Sequence, residues 1–274
     1  MDNSRYKSIC SELDLLLDWG VKLSRALANK EAPLDRDFYG DRVFSKLLCH
    51  AITLRRIIPT GLTPEQEGHT ELWDISSACA ITRSLIECFD ALFYISIEEL
   101  AEPERQFRVL LWDLHSEERR LKKLELIQSK SPEVIDIKNR VAELRKKVIE
   151  HNNYNILDNG AKKKIEKGES PAFYLSHSER NKRAKINHNY YNACIMFLSA
   201  YVHTFPFSIN QLMQFKAGDN ESLRLMSLPV QYSIGFLAKS INGMHVIFGS
   251  RIPSKPQEVS NLCEIWSGIL EQGI

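Results

Sequence analysis

Apolar positions recur at three- and four-residue steps through almost the whole chain, the spacing that lines one face of an α-helix. Residues 4–29 place Ile9, Leu13, Leu16, Leu17, Val21 and Leu23 on such a stripe, and 35–58 repeat it with Phe44, Leu47, Leu48, Ala51, Ile52 and Leu54. Pro59-Thr60-Gly61 ends the second stripe, and 59–68 is turn chemistry with no apolar period. Segments 103–128 and 131–151 predict a hairpin of amphipathic helices. The first opens on Pro103, the second on Ser131-Pro132-Glu133, a cap followed by proline at the first helical position and an acidic first turn. Helical spacing returns over 188–204, 206–216, 220–248 (bent near Pro229) and 257–271. No stretch alternates in the two-residue rhythm of a half-buried strand. The pattern predicts an all-α fold, an antiparallel multi-helix bundle of about eight or nine helices.

One stretch breaks the period. Residues 152–170, NNYNILDNGAKKKIEKGES, are rich in Asn, Gly and Lys and longer than an ordinary connection. They predict an exposed insert in a single domain, 1–274, separating an N-terminal half (1–151) from a C-terminal half (171–274).

Two helices depart from simple amphipathicity. Segment 70–97 is apolar nearly all round, yet Ser76, Arg83, Glu87, Asp90 and Tyr94 fall within one narrow arc. Such a stripe is either a thin solvent-facing edge or an internal polar seam. In a seam Arg83 needs Glu87 or Asp90 as counter-ion, because a buried charge without a partner is costly. Segment 188–204 has a broad aromatic face of Tyr190, Tyr191, Phe197 and Tyr201. His188, Asn192, Ser199 and His203 lie together on another side. Two polar stripes on two apolar helices invite a shared pocket, with Arg83 as anion anchor, Glu87 orienting it, His203 as the titrating group, and Ser199 and Tyr190 as hydrogen-bonding lining. The bland alternatives are also physical: a histidine suits a helix C-terminus, and an Arg–Glu pair can simply fix register.

Composition then removes whole classes of function. The formal net charge is +1, so no global field recruits nucleic acid or an anionic membrane. The most apolar segment, 223–248, is interrupted by Arg224, Gln231, Lys239 and His245, too often for a membrane helix. The N-terminus has no signal pattern, so a soluble, cytoplasmic protein without membrane partners is expected. The six cysteines form no Cys-x-x-Cys pair and are expected as buried free thiols. No cofactor or metal is expected. His188 and His203 stand about 22 Å apart along one helix and cannot share an ion, and phosphate-binding glycine loops are absent.

Arginine–histidine spacing brings in an enzyme class. Arg183 and His188, Arg145 and His151, and Arg108 and His115 each put a histidine a short step after an arginine. In this the chain is similar to HEPN-type ribonucleases, helical and metal-independent. There the guanidinium holds the phosphate while an imidazole moves the 2′-hydroxyl proton. Arg183 and His188 match best, in a basic stretch with Arg180, Lys182 and Lys185. Ala184 departs from the polar residue that family has at this point. This resemblance implies an RNase with RNA as partner, acting as a homodimer in a toxin or phage-defence setting.

A second resemblance covers residues 40–215. Arg-Ser-Leu-Ile-Glu (83–87), with the later Tyr-Tyr-x-x-Cys and Phe-Leu-Ser-x-Tyr-Val-His-Thr (190–204), resembles a family of bacterial all-helical proteins known as a domain of unknown function. It implies an all-α fold with Arg83, Glu87, Tyr190, Ser199 and His203 as signature positions, and no activity. Three readings follow: a pocket for an anionic small molecule or phosphate, a ribonuclease, and a non-enzymatic interaction protein whose ion pairs are structural.

Overall fold

The computed structural model describes residues 1–28, 34–61 and 73–273. The end of the 4–29 segment, the start of the 70–97 segment and most of the 59–68 loop lie outside them. The described residues form eleven α-helices and no strand. In order they are α1 (Asn3–Leu27), α2 (Asp35–Ile57), α3 (Ile75–Leu92), α4 (Glu102–Leu126), α5 (Glu133–Glu150) and α6 (Asn159–Glu166). There follow α7 (His177–Arg183), α8 (His188–Val202), α9 (Pro206–Leu212), α10 (Asn220–Phe248) and α11 (Gln257–Gln272). The all-α expectation holds, with more helices than the eight or nine expected. The extra ones, α6 and α7, are too short and too polar to show an apolar period.

Side-chain caps start many of these helices. Asp2, Asp74, Asp158, Asn187 and Asp219 each accept a backbone N–H three residues on, which satisfies a donor the helix itself leaves over. Among the described residues no helix is long and apolar enough to cross a membrane.

The chain forms two compact units, 1–97 with 180–274, and 98–179. In the larger unit, α3 packs against α2, α10 and α8, and α10 packs against α1, α2, α3 and α11. The core there runs from Tyr6, Leu13 and Leu16 through Leu85, Ile86 and Phe89 to Phe236, Leu237 and Ile241. Beyond Leu92 the helix widens into a π-turn, Phe93–Ile97. Ile97 lies against Gly243 of α10, where an added Cβ would run into its side chain. Thr82 of α3 donates to the Pro229 carbonyl at 3.2 Å and lies 3.1 Å from Ser233 Oγ, a polar tie beside the proline of α10.

The smaller unit is built on the hairpin of α4 and α5. Phe107, Leu111 and Leu114 face Ile137, Val141 and Val148, and Leu157 and Ile165 complete the core. Residues 152–170 are thus no bare loop. Asn152–Ile156 make a 3-10 turn, Asp158 caps α6, and Leu157, Ile165 and Ser170 are buried. All six cysteines are free. Five are buried, whereas Cys49 is exposed because its position on α2 falls off the stripe of Phe44, Leu47, Leu48 and Ala51.

Candidate functional site

Within the larger unit, α3 and α8 bring four of the sequence-predicted residues together. Arg83 Nε donates to Glu87 Oε1 at 3.2 Å, one helical turn away on α3. Arg83 Nη1 reaches across to α8, 3.1 Å from Ser199 Oγ and 3.1 Å from His203 Nε2. Ser199 donates its own hydroxyl proton to the Ile195 carbonyl at 2.5 Å, which leaves its oxygen to accept from Arg83. A guanidinium can only donate, so the His203 contact needs Nε2 bare and the ring proton on Nδ1. Arg83 is thereby held at Nε and Nη1 while Nη2 makes no bond to the described residues. Its side chain is 28% exposed and that of Glu87 60%, so the remaining edge is reachable from solvent.

The chain end of α8 places His203. Thr204 adopts φ +54°, a left-handed conformation that a β-branched residue takes only under strain. Phe205 N then bonds to the Ala200 carbonyl at 3.0 Å, closing the helix, and Pro206 starts α9. The Phe205 ring lies 5.5 Å from the His203 ring. A Thr204→Gly variant is expected to gain up to about 1 kcal/mol, the left-handed strain relieved less the added freedom of the unfolded glycine. Thermal denaturation checks this; a loss of stability would show that Thr204 is held by more than its helix-ending role.

The polar stripe of α3 continues inward past Glu87. Asp90 is buried and accepts a 2.6 Å bond from the Tyr191 hydroxyl of α8. Burial raises its carboxyl to about 6 against the opposing effects of Tyr191 and the nearby Arg180 cation, while Glu87 adds to the rise. Burial, and then Asp90, push the Tyr191 phenol up. The stripe is therefore a seam between helices, half open at Arg83 and closed at Asp90. Sequence reasoning offered Asp90 only as a counter-ion for Arg83 and placed Tyr191 on the aromatic face of its helix; nothing in their spacing signals the bond between them. Arg180, read in sequence as part of a basic stretch, is 5% exposed.

Tyr190 stands apart from this cluster. It precedes Ser199 by nine residues, about half a turn round the helix, so it faces the opposite side. There it meets Tyr232 edge to face at 6.1 Å. Burial raises the Tyr190 phenol, and the Cys194 thiol to about 12.

In each arginine–histidine pair the described bonds of the histidine go to other residues. Arg183 ends α7 and His188 begins α8. The ring nitrogens of His188 face two amides, Asn181 Nδ2 at 3.0 Å and Asn192 Nδ2 at 3.1 Å. In the smaller unit, Arg145 binds Glu118 at 2.9 Å while His151 accepts from the Asn153 N–H at 3.1 Å. Arg108 is buried between two glutamates, and His115 Nδ1 donates to the Ser170 carbonyl at 2.6 Å.

No group of three or more His, Cys, Asp or Glu that could hold a metal occurs among the described residues. No protein-family model, curated protein or solved structure matches this chain, so the chemistry of the site is argued from its geometry.

Proposed function

We propose that the protein binds a phosphate- or carboxylate-bearing ligand at the seam of α3 and α8, with Arg83 as the anion anchor. The observation that supports this is the three-point hold on Arg83, which leaves one guanidinium edge open. A fixed arginine loses little conformational freedom when an anion arrives, so more of each charge-assisted hydrogen bond appears as affinity. Ser199 and His203 orient the Nη1 edge. Glu87 orients Nε but also offsets the charge, so an incoming anion competes with it. Inorganic phosphate at such a half-exposed site is expected to bind with a dissociation constant on the order of a millimolar.

The test is a phosphate titration followed through the arginine Nε–H resonances, with Arg83 assigned by its loss in Arg83→Gln. A saturable shift of that resonance, steeper in Glu87→Gln, is the expected result. No shift at Arg83, with Arg83→Gln costing about 1 kcal/mol or less of stability, would instead leave a structural ion pair in an interaction protein. The ribonuclease reading draws less support, because both ring nitrogens of His188 are engaged by asparagine amides. Degradation of mixed RNA by the wild type but not by His188→Ala would restore it.

A further inference from the structure

We infer that the 98–179 unit carries a separate binding site for a small phosphomonoester, in a cavity between α4 and the turn that follows α6. The cavity has a volume of about 280 Å³, and its walls include His115, Glu118, Arg119, Lys122, Lys164 and Ser170. That is near the lower end of small-molecule sites, enough for a phosphate with a short organic part and too little for a polymer.

The charges on its walls do not cancel. Glu118 is buried and both its oxygens are taken, Oε1 by Arg145 Nη2 at 2.9 Å and Oε2 by the Ser170 N–H at 2.7 Å. Its charge is thus already matched by Arg145, which stands behind it. Lys122 pairs with Glu169 at 3.6 Å, both side chains more than half exposed. Arg119 and Lys164 have no ion-pair partner among the described residues, so the walls together with the Arg145 behind them carry two positive charges in excess. The carbonyls at the end of α6 do not offset them. Those of Lys163, Lys164 and Ile165 already accept the N–H groups of Lys167, Glu169 and Gly168.

Ser170 is the second, independent pointer. Its backbone is fixed on both sides, the N–H on Glu118 and the carbonyl on His115. Its hydroxyl, on a residue only 3% exposed, makes no hydrogen bond. Buried hydroxyls normally have partners, and one left over beside a basic cavity is suited to an oxygen arriving from a ligand. Arg119 and Lys164 would neutralise the phosphate, as arginine and lysine do wherever planar and point-charge contacts combine on a phosphoryl group. His115, with Nδ1 held by Ser170, has Nε2 as its remaining polar atom.

Isothermal titration with glycerol 3-phosphate, alongside hydrogen exchange over residues 115–122 and 164–171, tests this in the full chain. Saturable binding with protection of both segments is expected, with no binding of glycerol. Arg119→Gln/Lys164→Gln is expected to weaken it at least tenfold, and Ser170→Ala several-fold. Lys163→Gln/Lys167→Gln, on and just after the same helix but off the cavity wall, and Arg83→Gln, in the other unit, should leave it unchanged. Absence of saturable binding, or binding indifferent to the Arg119/Lys164 change, overturns the site. Binding of a 5′-phosphorylated oligoribonucleotide more than tenfold tighter than glycerol 3-phosphate overturns its assignment to a small molecule.

Discussion

Replacing Arg108 with methionine is expected to destabilise the 98–179 unit by about 3–5 kcal/mol, the usual consequence of removing one member of a buried ionic group. Arg108 is 1% exposed and donates from Nη1 to Glu98 at 2.6 Å and from Nη2 to Glu104 at 2.7 Å. The two carboxylates are themselves only 12% and 26% exposed. Tyr174 adds a 2.6 Å hydrogen bond to Glu104, and its phenol is pushed up to about 12 by burial and then by that bond. Methionine fills much of the arginine volume, so the loss is electrostatic: two carboxylates remain close together in a poorly hydrated place without their cation. The unit can ill absorb this. A folded unit of roughly 80 residues has a net stability of about 4–12 kcal/mol, so the change removes about a quarter or more of it. Hydrogen exchange over α4 and α5 reads the effect locally. The triple variant Arg108→Met/Glu98→Gln/Glu104→Gln is expected to recover most of the loss, because a neutral buried group has no charge to desolvate. If Arg108→Met alone is as protected as the wild type, the arginine does not hold this unit.

The same residue shows where sequence reading stops. Arg108 entered the sequence argument as half of an arginine–histidine pair with His115, seven positions along one helix. Its actual partner Glu98 lies before α4 begins, in a connection that carries no period to place it. The long amphipathic helices were legible because their apolar stripes are a property of each helix alone. So were the two polar stripes of α3 and α8. That they face each other, joining Arg83 to Ser199 and His203, depends on packing across more than a hundred residues, which periodicity can suggest but not determine. Tyr190 marks the opposite error, since sharing a helix with Ser199 is not sharing a face. Short polar helices such as α6 and α7 stay hidden for a simpler reason: seven or eight residues contain only two turns, too few for a stripe to stand out. Ser170, buried among polar neighbours in the chain, has no sequence signal at all.

Where the seam closes, stability should depend on pH through Asp90. Its carboxyl is raised from 3.8 to about 6, by burial first, so the folded protein holds this proton more tightly than the unfolded chain does. Between those values the folded state binds more protons, and linkage makes stability fall as pH rises. The contribution is fully present below about pH 4 and is lost as pH rises through about 6. A shift of about two units corresponds to about 3 kcal/mol. Other titrating groups would blur this in the wild type alone, so the quantity to measure is its stability minus that of Asp90→Asn. The asparagine carbonyl can still accept from Tyr191, and nothing titrates at the position. Relative to that variant, the wild type is expected to gain about 2–3 kcal/mol between pH 7.5 and pH 4. A flat difference would mean an unperturbed carboxyl. A difference favouring the wild type at high pH would mean that attraction to Arg180 outweighs burial. The charge also reaches the open end of the seam, where Glu87 is close enough to raise Asp90. Removing it should favour any anion held by Arg83, so Asp90→Asn at pH 7.5 is expected to bind phosphate at least as tightly as the wild type. A weaker phosphate response in that variant would show that Asp90 acts by keeping α8 in place, through Tyr191, rather than through its charge.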